Sequence, residues 1–221
     1  MNANASASVH RRPRARRIGL GPQRGVTLLE LLIGVGVIIV FMVGVLIGMR
    51  SLNAQMDRSA LLRQAPQIKV SLGGLGASGD GDFASLDTAT AIAMGAFPRE
   101  MITGSGANAQ ATHPFGGPIF AKGLADDFET LKRGRAFSLT YAAIPADQCA
   151  GVARGLAMLG EGLWIDATGA SPAAMPAAGD MLRVPGKDAP IDIGALAEQC
   201  VKAAGAGDAG KAVTIHVLMA L

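Results

Sequence analysis

The sequence predicts an α+β fold, in which a long N-terminal helix packs against an antiparallel sheet. An uncharged segment at 31–49 continues into helical apolar spacing up to residue 72, apolar positions alternate over 137–143 and 213–221, and two apolar helical stripes each contain a Cys. The chain has 221 residues, of which 50% are hydrophobic, and its mean hydropathy is +0.35. This composition excludes a disordered chain and favours contact with a membrane.

The positive charge lies at the N-terminus. Six of the 20 basic residues are arginines in residues 11–24, so that 14 basic and 17 acidic residues remain in the rest of the chain. The sequence pI of about 9.1 therefore comes from this leader, and no basic stripe interleaved with aromatic residues follows it. We accordingly expect no direct binding of nucleic acid.

An uncharged segment follows the arginines. The 19 residues from Leu31 to Met49 carry no charge and would rise about 28 Å as a helix, which spans the hydrocarbon core of a bilayer. The excess of arginine before this segment predicts a cytoplasmic N-terminus and a periplasmic or extracellular head. A cleaved secretory signal is disfavoured because the segment is long and Leu52 stands where a small residue is needed for cleavage after Ala54.

Glu30 interrupts the apolar pattern at the cytoplasmic edge of the span. An ionisable residue there is a candidate functional group, and the alternative is a side chain that reaches the interface. The run Arg24-Gly25-Val26-Thr27-Leu28-Leu29-Glu30 resembles the processing site of type IV prepilins. The long leader and the mature residue Val26 resemble the type IVb class.

This resemblance implies a division of the chain and a mode of processing. Residues 1–25 would be a leader removed by a prepilin peptidase between Gly25 and Val26, with N-methylation of Val26. Residues 26–49 would be the transmembrane half of the helix, 50–72 its amphipathic half, and 73–221 the globular head. Cleavage would create an α-amine with a reference pKa of about 7.7 to 8.0, a cation that Glu30 can pair with. The family implies that the amine belongs to a neighbouring subunit.

Small residues in the helix are further candidates for subunit assembly. Gly44 and Gly48 have the small-xxx-small spacing that permits close helix approach, and type IVb helices carry glycines around Gly36 and Gly44. Ordinary membrane composition, which is rich in glycine, is the alternative explanation. We count these three glycines and Thr27 with Glu30 as the predicted assembly residues.

The amphipathic half predicts a helix face buried against the head. Leu52, Met56 and Ala60 begin this face, and Leu61, Ala65, Ile68 and Leu72 continue it. A glycine-rich loop is predicted over residues 73–81, and a short helix over residues 85–94 with Ser85 as its N-cap. The G-x-G-x-x-G pattern in the loop follows a helix, so it does not predict phosphate binding.

The head contains two clear strands and two weaker ones. The clear strands lie at 137–143 and 213–221, and the weaker candidates at 162–167 and 181–184. Segments around residues 93–101 and 113–120 are similar to the type IVb head, although His113 stands where a small polar residue is expected. We expect the C-terminal strand to be integral to the sheet.

The two cysteines, Cys149 and Cys200, are expected to form a disulfide because the head is exported. Their positions on two helical stripes predict a bridge between helices, one after Pro145 and one after Asp192. No C-x-x-C is present, and two cysteines do not make a zinc site. The region they close resembles the disulfide-closed, subunit-specific region of type IVb pilins.

No catalytic, cofactor or metal site is predicted. His10, His113 and His216 are scattered in the sequence, and His216 is expected to face outward from a strand. The acidic cluster at residues 126–129 and the basic cluster at residues 132–135 are expected to be solvated surface.

The favoured function is therefore a structural subunit of a type IVb pilus, a helical homopolymer. The resemblance implies the inner membrane as location before assembly and an extracellular fibre afterwards. It implies as partners the prepilin peptidase, an inner-membrane platform with its assembly ATPase, and an outer-membrane secretin. A minor pilin or type II secretion pseudopilin is one alternative, and a periplasmic enzyme or binding domain held by a signal anchor is another. Adhesion, aggregation, conjugation and DNA uptake are not distinguished by the sequence.

Overall fold

The computed structural model describes residues 27–77, 82–187, 189–205 and 211–220, in two compact units that divide between Ile47 and Gly48. The first unit contains the beginning of helix α1, and the second contains the rest of α1 together with the head. The further helices and strands are, in chain order, α2 Thr88–Ala93, β1 Ile102–Thr103, β2 Gln110–Thr112, β3 Pro118–Gly123, β4 Ala136–Pro145, α3 Ala146–Ala157, β5 Gly162–Asp166, α4 Ile193–Ala204 and β6 Ala212–Ala220.

Helix α1 extends from Leu28 to Ala77 and contains Pro66. The loop predicted to begin at residue 73 is therefore wrong at its start, since the glycines at 73, 74 and 76 are helical. Helical glycine costs about 1 kcal/mol relative to alanine, and packing offsets this cost because Gly76 extends the buried row. That row contains Leu61, Ala65, Ile68, Leu72 and Gly76.

The buried face of α1 begins later than predicted. Leu52 and Met56 are 59% and 60% exposed, whereas Leu61 is 1% exposed. The apolar spacing of residues 52–60 predicted burial, but the head covers the helix only from about residue 60 onward. From there, Lys69 donates a hydrogen bond from Nζ to the carbonyl oxygen of Leu159 at 2.7 Å, which ties α1 to the turn after α3.

The sheet is antiparallel, with strand order β1-β2-β3-β4-β6-β5. The predicted α+β architecture is thereby confirmed, and the last strand is integral to the sheet, where it lies between β4 and β5. The sequence pattern does not indicate β1 and β2, because these strands have two and three residues, too few for a periodic pattern. The segment 181–184 makes only an isolated bridge between Arg183 and Leu163.

The two faces of the sheet have different chemistry. One face joins the main apolar core with α1, α3 and α4 through alternate residues of β4, β5 and β6: Phe137, Leu139, Tyr141, Leu163, Ile165, Val213, Ile215, Val217 and Met219. The residues between them face the other way and include Thr140, Trp164 and His216. All three are buried, so the second face holds polar groups without access to bulk water.

The short helix α2, which precedes the sheet, has a different N-cap from the predicted one. Asp87, not Ser85, is the N-cap of α2, and its carboxylate accepts a hydrogen bond from Thr90 N at 2.7 Å. Ser85 instead ends a 3-10 turn, Phe83–Ser85, which Asp82 caps. The helix still ends before Gly95, whose φ of 73° favours glycine.

Candidate assembly site

The helix start is organised by Thr27. Its carbonyl oxygen accepts hydrogen bonds from Glu30 N at 3.0 Å and Leu31 N at 3.2 Å, and its Oγ1 lies 3.3 Å from the same Glu30 amide. Thr27 thus acts as the N-cap of α1 and brings itself and Glu30 into one turn. Gly25 and Val26, the predicted processing residues, lie outside the described residues.

The Glu30 side chain is exposed and forms no hydrogen bond or ion pair with the described part of the chain. A carboxylate in the first turn is favoured by the partial positive charge of the helix N-terminus. Its position leaves the carboxylate accessible to a cation from outside the described residues.

The helix behind Glu30 is apolar and uncovered. Leu28–Val45 has a mean hydropathy of 2.8 and none of it is buried within the chain, so by length and composition it can cross a membrane. The first unit gives these side chains no apolar partner. A helix of this kind requires lipid or other helices around it in order to remove its apolar surface from water.

The predicted assembly glycines have open surroundings. A Cβ built at Gly36, Gly44 or Gly48 would meet no atom within 4 Å outside its local helix backbone. No tertiary contact among the described residues therefore requires glycine at these positions. They lie further along the helix than Thr27 and Glu30 and do not join them in one cluster.

The predicted disulfide is confirmed. Cys149 on α3 and Cys200 on α4 are joined with a Cα–Cα distance of 5.9 Å, and both residues are buried. Asp192 caps α4 through hydrogen bonds from Gly194 N and Ala195 N, as the sequence predicted for the start of this helix. The bridge closes a region that contains β5 and the segment leading to α4.

Sequence reasoning missed a polar cluster on the second face of the sheet. His216 is fully buried rather than outward-facing, because a second apolar cluster that includes Trp164 and Met181 covers that face of the sheet. Its Nδ1 lies 2.9 Å from Thr140 Oγ1, and its Nε2 lies 3.0 Å from Asp166 Oδ2, at an angle outside that of a regular hydrogen bond. The alternation of strand residues could have predicted that His216 and Thr140 share one face of the sheet. It could not have predicted that other residues of the head cover this face.

This cluster is not a hydrolytic triad. Thr140 is 0% exposed, so no substrate can reach its hydroxyl. Burial lowers the pKa of His216, while the nearby Asp166 carboxylate partly opposes this shift. A neutral imidazole with its proton on Nε2 faces Asp166 and accepts the Thr140 O–H on Nδ1.

The other histidine of the head, His113, is also buried. Its Nε2 lies 2.6 Å from the carbonyl oxygen of Ala142, which can only accept, so Nε2 carries the proton. Its Nδ1 has no hydrogen-bond partner in the described part of the chain. Burial lowers the pKa of His113, and the Ala142 contact opposes the shift. The ring occupies the turn closed by the hydrogen bond from His113 N to Gly117 O.

The predicted charged clusters lie on the surface. Lys132 pairs with Asp127 at 2.9 Å, and Asp127 also accepts a hydrogen bond from Arg133 N at 2.8 Å. These contacts lower the pKa of Asp127 and stabilise a turn. Among the described residues, no group of three or more His, Cys, Asp or Glu side chains is placed to hold a metal ion.

No protein-family model matches the chain, and no curated protein matches it. Solved structures similar to it include the crystal structure of type IV b pilin from Salmonella typhi, with 18% identity and a TM-score of 0.47, covering 72% of this chain and 97% of that one. They also include the crystal structure of TcpA, a type IV pilin from the Vibrio cholerae El Tor biotype, with 11% identity and a TM-score of 0.49, covering 74% of this chain and 98% of that one.

Proposed function

We propose that this chain is a structural subunit of a type IV pilus of the b class and not an enzyme. The observation that carries the proposal is the uncovered apolar helix Leu28–Val45, which has a single carboxylate, Glu30, in its first turn. The prepilin-like run of residues 24–30 stands at the start of the same helix. A monomeric soluble domain has no use for such a helix, whereas a subunit that is first stored in a membrane and then bundled with copies of itself does.

Processing creates the partner for Glu30 in this proposal. A peptidase cuts between Gly25 and Val26, and the new α-amine of Val26 is methylated and remains protonated at neutral pH. In a medium of low dielectric constant the amine of one subunit and the Glu30 carboxylate of the next attract each other strongly, and pairing offsets the desolvation of both. The proposal is supported by the Glu30 side chain, which is exposed and makes no hydrogen bond or ion pair with the described residues.

The three glycines of the helix allow close packing against the helices of neighbouring subunits in this proposal. Gly36, Gly44 and Gly48 have open space where a side chain would stand, so a neighbouring helix can approach the backbone there. Before assembly the helix lies in the inner membrane with the head in the periplasm, and afterwards it forms the core of an extracellular fibre. The prepilin peptidase, the platform with its ATPase, and the secretin are the partners that this route requires.

The test compares processing and assembly in two variants. Gly25→Val is expected to keep residues 1–25 on the chain, and Glu30→Gln is expected to give a cleaved, methylated subunit that is largely missing from sheared surface material. Intact-mass and N-terminal peptide mass spectrometry of membrane and sheared fractions measure both. Asp57→Asn, which removes another carboxylate of α1, is the matched control and should assemble normally.

Two outcomes contradict the proposal. A wild-type chain that keeps residues 1–25 in both fractions would exclude prepilin processing. Normal fibres from the Glu30→Gln variant would exclude pairing of Glu30 with the N-terminal amine while leaving the pilin assignment intact.

A further inference from the structure

The head contains a cavity that the assembly helix does not use. Its volume is about 710 Å³, and it lies within the disulfide-closed region between the end of β5, the segment 167–180 and helix α4. This volume is in the range of sites that bind small organic molecules. The wall carries three charged side chains, those of Asp166, Asp180 and Lys202, together with the polar side chains of Ser171 and Gln199.

Asp166 is held in one orientation by its neighbours. Its Oδ1 accepts hydrogen bonds from Thr168 N at 2.9 Å and Thr168 Oγ1 at 2.8 Å, and its Oδ2 lies 3.0 Å from His216 Nε2. His216 is itself fixed by Thr140 and by stacking on Trp164. The Asp166 side chain nevertheless remains 32% exposed. A buried histidine that orients a carboxylate at a cavity wall is the kind of support that binding sites have.

Two further charged side chains line the cavity wall without a partner among the described residues. The side chains of Asp180 and Lys202 make no hydrogen bond or ion pair with the described residues, although they line the same cavity. Both charges are therefore available to the charged groups of a ligand.

The remaining wall is apolar and built of small residues, including Pro172, Ala173, Ala174 and Pro176. Lys122 holds this segment in place by donating hydrogen bonds from Nζ to the carbonyl oxygens of Pro172 at 2.7 Å and Ala173 at 3.0 Å. The wall is therefore anchored to β3. A ligand would meet an apolar surface beside charges of both signs.

We propose that this cavity binds a small ligand that carries a cationic amine and a carboxylate, as an amino acid or a peptide ending in a basic residue does. Asp166 and Asp180 accept hydrogen bonds from the cation, and Lys202 donates to the carboxylate. The small apolar residues of the wall contact the carbon atoms of the ligand. A polyanion is disfavoured by the two carboxylates, and a ligand with a cation alone leaves Lys202 unpaired.

Ligand binding can be measured through the intrinsic tryptophan fluorescence of the protein. Trp164 is its single tryptophan and lines the cavity, so tryptophan fluorescence of the full chain in detergent micelles reports on this site. The probes are L-lysine, acetyl-Ala-Ala-Lys with a free carboxylate, the same peptide as its amide, and acetyl-Ala-Ala-norleucine. We expect a saturable change in emission with a probe that has both charges, and a Kd raised about tenfold or more when either charge is removed.

Variants locate the binding. Asp180→Asn and Lys202→Met are each expected to raise the Kd about tenfold, whereas Lys187→Met, an exposed lysine outside the cavity, is expected to leave it unchanged. If L-lysine and the peptide both bind, a single amino acid is sufficient as the ligand. If only the peptide binds, the ligand is the C-terminal end of a peptide chain. The proposal would be overturned if no probe gave a saturable change, or if the Asp180→Asn and Lys202→Met variants bound the probe with the Kd of the wild type.

Discussion

The imidazole of His216 stacks on the indole of Trp164, with ring centroids 4.8 Å apart and an angle of 5° between the ring planes. The two residues face each other on neighbouring strands, β6 and β5, and both are buried. Since the chain has one tryptophan, its fluorescence should depend on the protonation state of His216.

Acid should therefore quench the fluorescence of Trp164. A protonated imidazole quenches indole more strongly than a neutral one, and burial lowers the pKa of His216 below its usual value of 6.5. We expect emission to stay constant at neutral pH and to fall at a midpoint below 6.5 while circular dichroism shows the head still folded. His216→Gln should remove this transition and His113→Gln should retain it. Loss of the transition only in His113→Gln would contradict the assignment.

The stability of the head should decrease in acid. The pKa values of both His113 and His216 are lowered in the folded state from 6.5, so on acidification the unfolded chain takes up protons first. Their contribution to the free energy of unfolding is present above pH 6.5 and is lost as the pH falls from 6.5 towards the folded-state values. Urea denaturation of the full chain at several pH values, followed by Trp164 fluorescence, measures this. Removing both histidines should flatten the profile in this interval, and an unchanged slope would contradict the explanation.

Loss of the disulfide should destabilise the head strongly. The bond between Cys149 and Cys200 closes a loop with a sequence separation of 51, for which the chain-entropy model gives about 4 kcal/mol. The double variant Cys149→Ala/Cys200→Ala is expected to lower the free energy of unfolding by this order in chemical denaturation. Reductant should produce a similar loss in the wild type and none in the variant. A loss of less than about 1 kcal/mol would show that the unfolded chain is little constrained by the bond.

Gly123 should not tolerate alanine. A Cβ at this position would overlap the carbonyl oxygen of Phe83, a backbone atom that cannot rotate away, and Gly123 N also donates to Leu86 O at 2.8 Å. Forcing the two segments apart is expected to cost about 3 kcal/mol. Gly179→Ala is the matched control, since a Cβ there meets nothing within 4 Å, and its effect should stay within about 0.5 kcal/mol. Equal stability of the two variants would refute the steric explanation.

Periodicity predicted the elements that are long and regular. Strands β4 and β6 and helices α3 and α4 have enough residues to show their apolar pattern, and the pairing of Cys149 with Cys200 followed from export and cysteine count. The cap at Asp87 and the extension of α1 through Gly76 were missed because they depend on local hydrogen bonding and on burial by the head. Glu30 was identified as a candidate by its contrast with an apolar segment.

The cavity and its polar support could not be predicted in the same way. Thr140, Asp166 and His216 come from three strands, and their proximity depends on the strand order and register of the sheet. The segment 167–180 has little regular structure, so the sequence gives no periodic signal for the wall that it forms. Residues distant in the chain are brought together only by the sheet.

The position of β6 between β4 and β5 also constrains when the head can fold. During synthesis, β4 and β5 emerge well before Ala212–Ala220 and have no hydrogen-bonded neighbour between them until that segment arrives. Their unpaired edges are open to other chains in the meantime. Any interruption of synthesis before Ala220 therefore leaves an aggregation-prone intermediate, and a chaperone that covers strand edges would protect the chain during this interval.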